Sequence, residues 1–106
     1  MTETEFNELT DVTFDRIEAG LEQADGDIDF ELAAGNVLQI DCPDGKIIVN
    51  RQPAMREIWV AARSGGFHYR WQASAWLNTR DNSELLDSLS AMIASQGGGH
   101  VRFGQD

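Results

Sequence analysis

Eleven carboxylates fall between Glu3 and Glu31: Glu3, Glu5, Glu8, Asp11, Asp15, Glu18, Glu22, Asp25, Asp27, Asp29 and Glu31. One basic residue, Arg16, lies among them, so this stretch carries the whole formal net charge of −10. The other seven acids and seven bases balance. Charge segregated in this way asks for a partner of opposite sign, either a basic protein surface or a cation. Carboxylate oxygens are hard donors, suited to Ca²⁺, Mg²⁺, Mn²⁺ and iron and poorly suited to copper or structural zinc. Strung along a surface, they would hold several ions weakly, each keeping many of its waters. A solvated acidic face with no specific ligand is the plain alternative.

The spacing places these groups. Glu8, Asp11, Asp15, Glu18 and Glu22 recur at intervals of three, four, three and four, which puts them in one stripe along a helix. Like charges at those spacings oppose helix formation, so helix stability does not explain them. After Gly26 the period becomes two: Asp27, Asp29 and Glu31 alternate with Ile28, Phe30 and Leu32, as in a strand with one buried face. Stripe and strand would form one ridge if the fold brought them side by side. Asp25-Gly26-Asp27-Ile28-Asp29 imitates the opening of an EF-hand loop. The sixth loop position, however, is Phe30 rather than Gly and the twelfth is Asn36 rather than Glu, which excludes a high-affinity calcium loop.

Other chemistry has little support. Cys42 is the only cysteine, too few for a disulfide, a cluster or a zinc site, and reads as a small apolar residue at a strand end. His68 and His100 are far apart in sequence, and Gly97-Gly98-Gly99 follows a helix rather than a strand, so it is no phosphate loop. No nucleophile, base and orienting acid combine, so no enzyme activity is expected. The charge balance disfavours nucleic acid. No apolar run is long enough for a membrane span, and the first residues lack the basic and apolar parts of a signal peptide, so a cytoplasmic location is expected.

The elements that position the acids follow from pattern. Thr2 with Glu5 is a capping box, and Phe6, Leu9, Thr10, Thr13, Ile17 and Leu21 mark the buried side of a helix of about 20 residues. Strands are expected over 27–33, 37–41, 46–50, 57–62, 67–71 and 75–78, joined by tight turns such as Pro43-Asp44-Gly45 and Gly65-Gly66. Asp81 with Glu84 reads as the start of a second helix carrying Leu85, Leu86, Leu89, Met92 and Ile93, stopped by Gly97. A short tail from His100 to Asp106 packs Val101 or Phe103 against the helices. The expected fold is one α+β domain over residues 1–106. It is a two-layer sandwich of order helix, six largely antiparallel strands, helix, with both helices on one sheet face.

The other sheet face then meets water. If Ile58 and Val60 point inward, Trp59 points outward beside Asn50, Gln52, His68 and Arg70, an arrangement typical of an interaction patch. The inverted alternation, with Trp59 in the core, remains open at this level because Trp is usually buried.

Ile48-Val49-Asn50-Arg51-Gln52-Pro53, then Glu57-Ile58-Trp59-Val60-Ala61 and Gly65-Gly66-Phe67-His68-Tyr69, resemble the central signature of the frataxin family, its bacterial members above all. The likeness runs over nearly the whole chain, from the acidic first helix to Trp76 and the closing helix. It implies a frataxin-like sandwich that acts in iron–sulfur cluster assembly as an iron-binding regulator. Such a protein binds ferrous and ferric iron weakly on its acidic ridge and docks on a cysteine desulfurase and its scaffold protein. Carried over, the metal candidates are Glu18, Glu22, Asp25, Asp27, Asp29 and Glu31, with Glu8, Asp11 and Asp15 as weaker ones. The partner contacts are Asn50, Gln52, Trp59 and His68, with Trp59 outward. A monomer is expected. The alternative is a ferroxidase and iron-storage protein that oxidises Fe²⁺ and holds iron in oligomers. Two departures bear on this: Gln23 and Ala24 stand where bacterial relatives often carry acids, which affects the number of ions held, and the glycine-rich tail is short, which implies modest stability.

Overall fold

The first helix begins where Thr2 accepts a hydrogen bond from the Glu5 N–H and Glu5 accepts one from the Thr2 N–H, both at 3.1 Å. This reciprocal box satisfies two otherwise unpaired donors and sets the start of α1 (Glu3–Glu22). The computed structural model describes residues 1–104. After α1 come β1 (Asp29–Ala33), β2 (Val37–Cys42), β3 (Gly45–Gln52), a 3-10 turn (Pro53–Met55), β4 (Glu57–Ala62), β5 (Gly65–Gln72), β6 (Ala75–Asn78) and α2 (Leu85–Ser95). The six strands lie in sequence order in one sheet, and every pairing is antiparallel. Such neighbour-to-neighbour pairing follows from the short turn-rich links between strands.

Alternation assigns the faces. Leu38, Ile40, Ile47, Val49, Ile58 and Val60 are all buried and form one core with Phe6, Phe14 and Ile17 of α1 and Leu85, Leu89 and Ile93 of α2. Both helices therefore cover the same sheet face, giving the expected α+β sandwich. Phe14, absent from the expected helix face, is buried beneath the guanidinium of Arg51, whose carbon sits 4.5 Å from the ring centre. Leu9 is only half-buried.

β2, β3 and β5 each run one or two residues past their expected limits, and the first strand and the second helix start later than expected. The first strand begins at Asp29, so Asp27 and Ile28 belong to the bend before it. The second helix begins at Leu85, capped by Glu84, whose carboxylate accepts from the N–H groups of Leu86 (2.7 Å) and Asp87 (3.0 Å). Asp81 instead accepts from the N–H and hydroxyl of Ser83, at 2.9 and 2.6 Å, and these bonds hold its carboxyl below the usual range. Asn82 takes a left-handed conformation (φ 62°) and Glu84 still bridges to Leu77, so the chain turns and extends before it coils.

At its far end α2 closes in a Schellman motif: the Gly98 N–H reaches the Ile93 carbonyl at 2.9 Å and the Gly97 N–H reaches that of Ala94 at 3.2 Å, with Gly97 at φ 80°. The tail then runs back over the helices with Val101 and Phe103 both buried. Gly20 makes room for it, since a Cβ there would stand 2.5 Å from the Phe103 ring and 2.7 Å from the Arg102 carbonyl. Residues 105–106 of the expected tail lie outside the described residues. No helix among those described is long and apolar enough to cross a membrane.

Candidate functional site

The acidic groups are spread around one edge of the molecule. Along α1, Glu8, Asp15 and Glu22 are exposed and Glu18 is half-buried. Asp11 differs from the others because Arg51 of β3 bonds to its carboxylate at 2.5 Å and to the Thr10 hydroxyl at 3.0 Å. Part of its charge is therefore answered within the fold. The last turn of α1 has no basic residue, so Glu18 and Glu22 add to the negative end of the helix dipole. The field deepens toward the following turn, where Asp25 and Asp27 are exposed.

Strand β1 carries the acids round the sheet edge. Phe30 and Leu32 register with Ile40 and Leu38 of the core, so Asp29 and Glu31 share the opposite, helix-free face with Asp41 and Gln39. Asp29 and Glu31 thus point away from the sheet face that α1 covers. Asp41, which accepts from the Gln39 amide at 3.1 Å, joins the strand acids and was not singled out from sequence. The alternation of β2 held that signal, but only the pairing register makes it a neighbour of Asp29. Among the described residues, no three His, Cys, Asp or Glu side chains converge into a metal-holding group. Separate exposed oxygens of this kind suit hydrated, weakly held cations and an electrostatic docking field.

The second surface is the open sheet face. Ile58 and Val60 are buried, so Trp59 faces outward, settling the alternation left open by sequence. His68 of β5 is directly opposite Trp59, and their rings stack with centres 4.3 Å apart and planes 8° from parallel. Asn50 of β3 flanks Trp59 on the other side, and Gln52 stands opposite Glu57. A hollow of about 200 Å³ beside the stacked rings is lined by Ile48, Asn50, Ala61 and Phe67. The four partner-contact candidates are therefore brought together.

Glu57 is the residue here that sequence reasoning passed over. It lies on the open face yet is 2 % exposed. Its carboxylate accepts from the Trp59 indole N–H at 2.8 Å and from Arg70 at 2.6 Å, and it stands 3.6 Å from His68 Nδ1. Burial pushes its pKa up, but the bonds from Trp59 and Arg70 and the nearby positive charge outweigh burial and hold it below its ordinary value.

Fold and surfaces together define a small α+β sandwich with an acidic edge and an aromatic plate. The Frataxin-like domain model matches residues 1–99, and the chain belongs to the frataxin family. It is 52% identical over 99 residues to the iron-sulfur cluster assembly protein CyaY of Dechloromonas aromatica, covering 92% of this chain and 94% of the relative. It is 50% identical over 106 residues to the protein of the same name from Herminiimonas arsenicoxydans, covering 95% of each. Among solved structures it resembles the frataxin of Psychromonas ingrahamii, with a TM-score of 0.91 and 31% identity over 99% of this chain and 100% of the other. It also resembles the trimeric yeast frataxin complexed with ferrous iron, with a TM-score of 0.69 and 25% identity over 93% of this chain and 88% of that one.

Proposed function

We propose that this chain acts in iron–sulfur cluster assembly as a single-domain, non-enzymatic regulator in the cytoplasm. Its acidic edge carries weakly held Fe²⁺ or Fe³⁺ as cargo and docks on a basic surface of a cysteine desulfurase, and its open sheet face meets the scaffold protein. The observation that carries this reading is the concentration of the entire net charge between Glu3 and Glu31, on a fold shared with relatives named for cluster assembly. The iron candidates are Glu18, Glu22, Asp25, Asp27, Asp29 and Glu31, with Glu8, Asp11 and Asp15 secondary. Asp11 is the weakest because Arg51 already neutralises it. The plate candidates are Asn50, Gln52, Trp59 and His68.

The test is desulfurase turnover with its scaffold protein, with and without Fe²⁺, in the presence of this protein or a variant with Glu18, Glu22, Asp25 and Asp27 changed to Gln or Asn. The intact protein changes the rate and the variant does not. An intact protein without effect in either iron condition overturns the reading. The trimeric, ferrous-complexed yeast neighbour favours a second reading, ferroxidase and storage in oligomers. Against it, the acids here are spread and do not pair as in an enclosed di-iron site. Iron-dependent oligomers in sedimentation, together with Fe²⁺ oxidation that is lost in the same variant, would establish that second reading.

A further inference from the structure

On the open sheet face, a buried carboxylate sits where no helix covers it. Carboxylates are costly to bury and are retained where their bonds fix something. Glu57 is roofed by Trp59, two residues along the same strand, and by Arg70 from the neighbouring strand, both bonded to it, and by His68 of that strand, whose Nδ1 stands 3.6 Å away. An indole on an open sheet face can rotate about its side-chain bonds, and strand pairing alone does not choose its orientation. The bond from Trp59 Nε1 to Glu57 Oε1 chooses it, and the imidazole of His68 lies flat on the result, its Nδ1 turned toward the same oxygen.

We propose that Glu57 is the positioning residue of the Trp59–His68 plate, holding both rings in a single orientation so that the face is pre-organised for its protein partner. This rests on the reading of that face as a partner surface. Pre-organisation adds affinity by removing the ordering cost of the side chains at the moment of contact. It also shapes what is offered. The indole N–H, the ring's one polar group, is already bonded to Glu57, so the partner meets ring faces and the hollow beside them. The titratable and charged groups around Glu57 are His68 and Arg70 from β5; β3 places the neutral Gln52 opposite it.

The test compares Glu57→Gln, which keeps an acceptor for the indole, with Glu57→Leu, which keeps the bulk and removes the acceptor. Glu57→Thr, a strand former too short to reach the indole, repeats the test if the leucine protein does not fold. Stacking on the indole moves the His68 ring protons upfield in the NMR spectrum, and the bonded Trp59 N–H exchanges slowly. In Glu57→Leu the His68 signals move to their positions in Trp59→Ala, and Trp59 N–H exchange accelerates about tenfold or more. Both signatures persist in Glu57→Gln. Affinity for the desulfurase–scaffold complex falls about tenfold in Glu57→Leu and recovers in Glu57→Gln. Unchanged ring shifts and exchange in Glu57→Leu and Glu57→Thr overturn the positioning role. If Trp59→Ala binds the complex as well as the intact protein, the partner reading of the face fails, and the NMR signatures still decide whether Glu57 holds the rings.

Discussion

The acidic edge and the aromatic plate hold charge in opposite ways. Along α1 and β1 most carboxylates stand exposed, and apart from Asp11 none is part of an ion pair among the described residues. On the plate, one carboxylate is almost wholly buried and is bonded to Trp59 and Arg70. The edge acts at a distance and is screened by salt over about 8 Å at physiological ionic strength. The plate acts by contact, through orientation and shape. On the proposed reading, one surface governs encounter with a partner, and the other governs how long the partner stays.

Salt gives the largest effect that separates the two. Between low and high salt, association of the intact protein with the desulfurase complex slows by on the order of 10²-fold, while dissociation changes little. Stopped-flow rates check this; salt-independent association would end the claim that the edge steers docking. Next comes Trp59→Ala, expected to cost about 2 kcal/mol of binding, nearly all of it in faster dissociation and similar at every salt concentration. Calorimetry and dissociation rates at two ionic strengths read it, and a loss appearing only at low salt would merge the two surfaces into one electrostatic patch.

The third effect concerns acid. The folded-state pKa of Glu57 lies below its ordinary value of 4.5. The stability it contributes is thus full above that value and is lost as pH falls through the lower folded pKa. Hydrogen bonds to a charged group are worth about 1.5–3 kcal/mol. Urea midpoints between pH 6 and pH 3 should fall more steeply for the intact protein than for Glu57→Gln; parallel curves would mean that the carboxylate adds nothing as a charge. The smallest effect belongs to the edge's own scaffold. Thr2→Ala removes the capping box and costs about 1 kcal/mol, a fall in melting temperature of roughly 4 °C or more for a domain of this size. The iron binding proposed at Glu18 and Glu22, far from that end, stays unchanged.

Much of this architecture was legible because it depends on local pattern. The three-four spacing of Glu8 to Glu22 and the Thr2–Glu5 box give α1 with its true start, and alternation gives Glu57–Ala62 and Ala75–Asn78 at their observed limits. The start of α2 was misplaced because Asp81 and Glu84 both have capping chemistry, and the left-handed Asn82 between them decides the matter. Glu57 was passed over because in sequence it is one more acid at a strand start. What makes it distinctive is Arg70, thirteen positions away, and a roof of rings from two strands.

The sequence by itself determined where the charge lies, which residues alternate and hence the order of helices and strands, since those are properties of neighbours along the chain. Only the tertiary structure decided three things that depend on register and packing between distant segments. It set Asp29 and Glu31 on the helix-free face beside Asp41, it tied Asp11 to Arg51, and it folded Trp59, His68 and Arg70 around Glu57. The reason is geometric: a strand fixes which way each side chain points, but strand pairing chooses what that side chain faces.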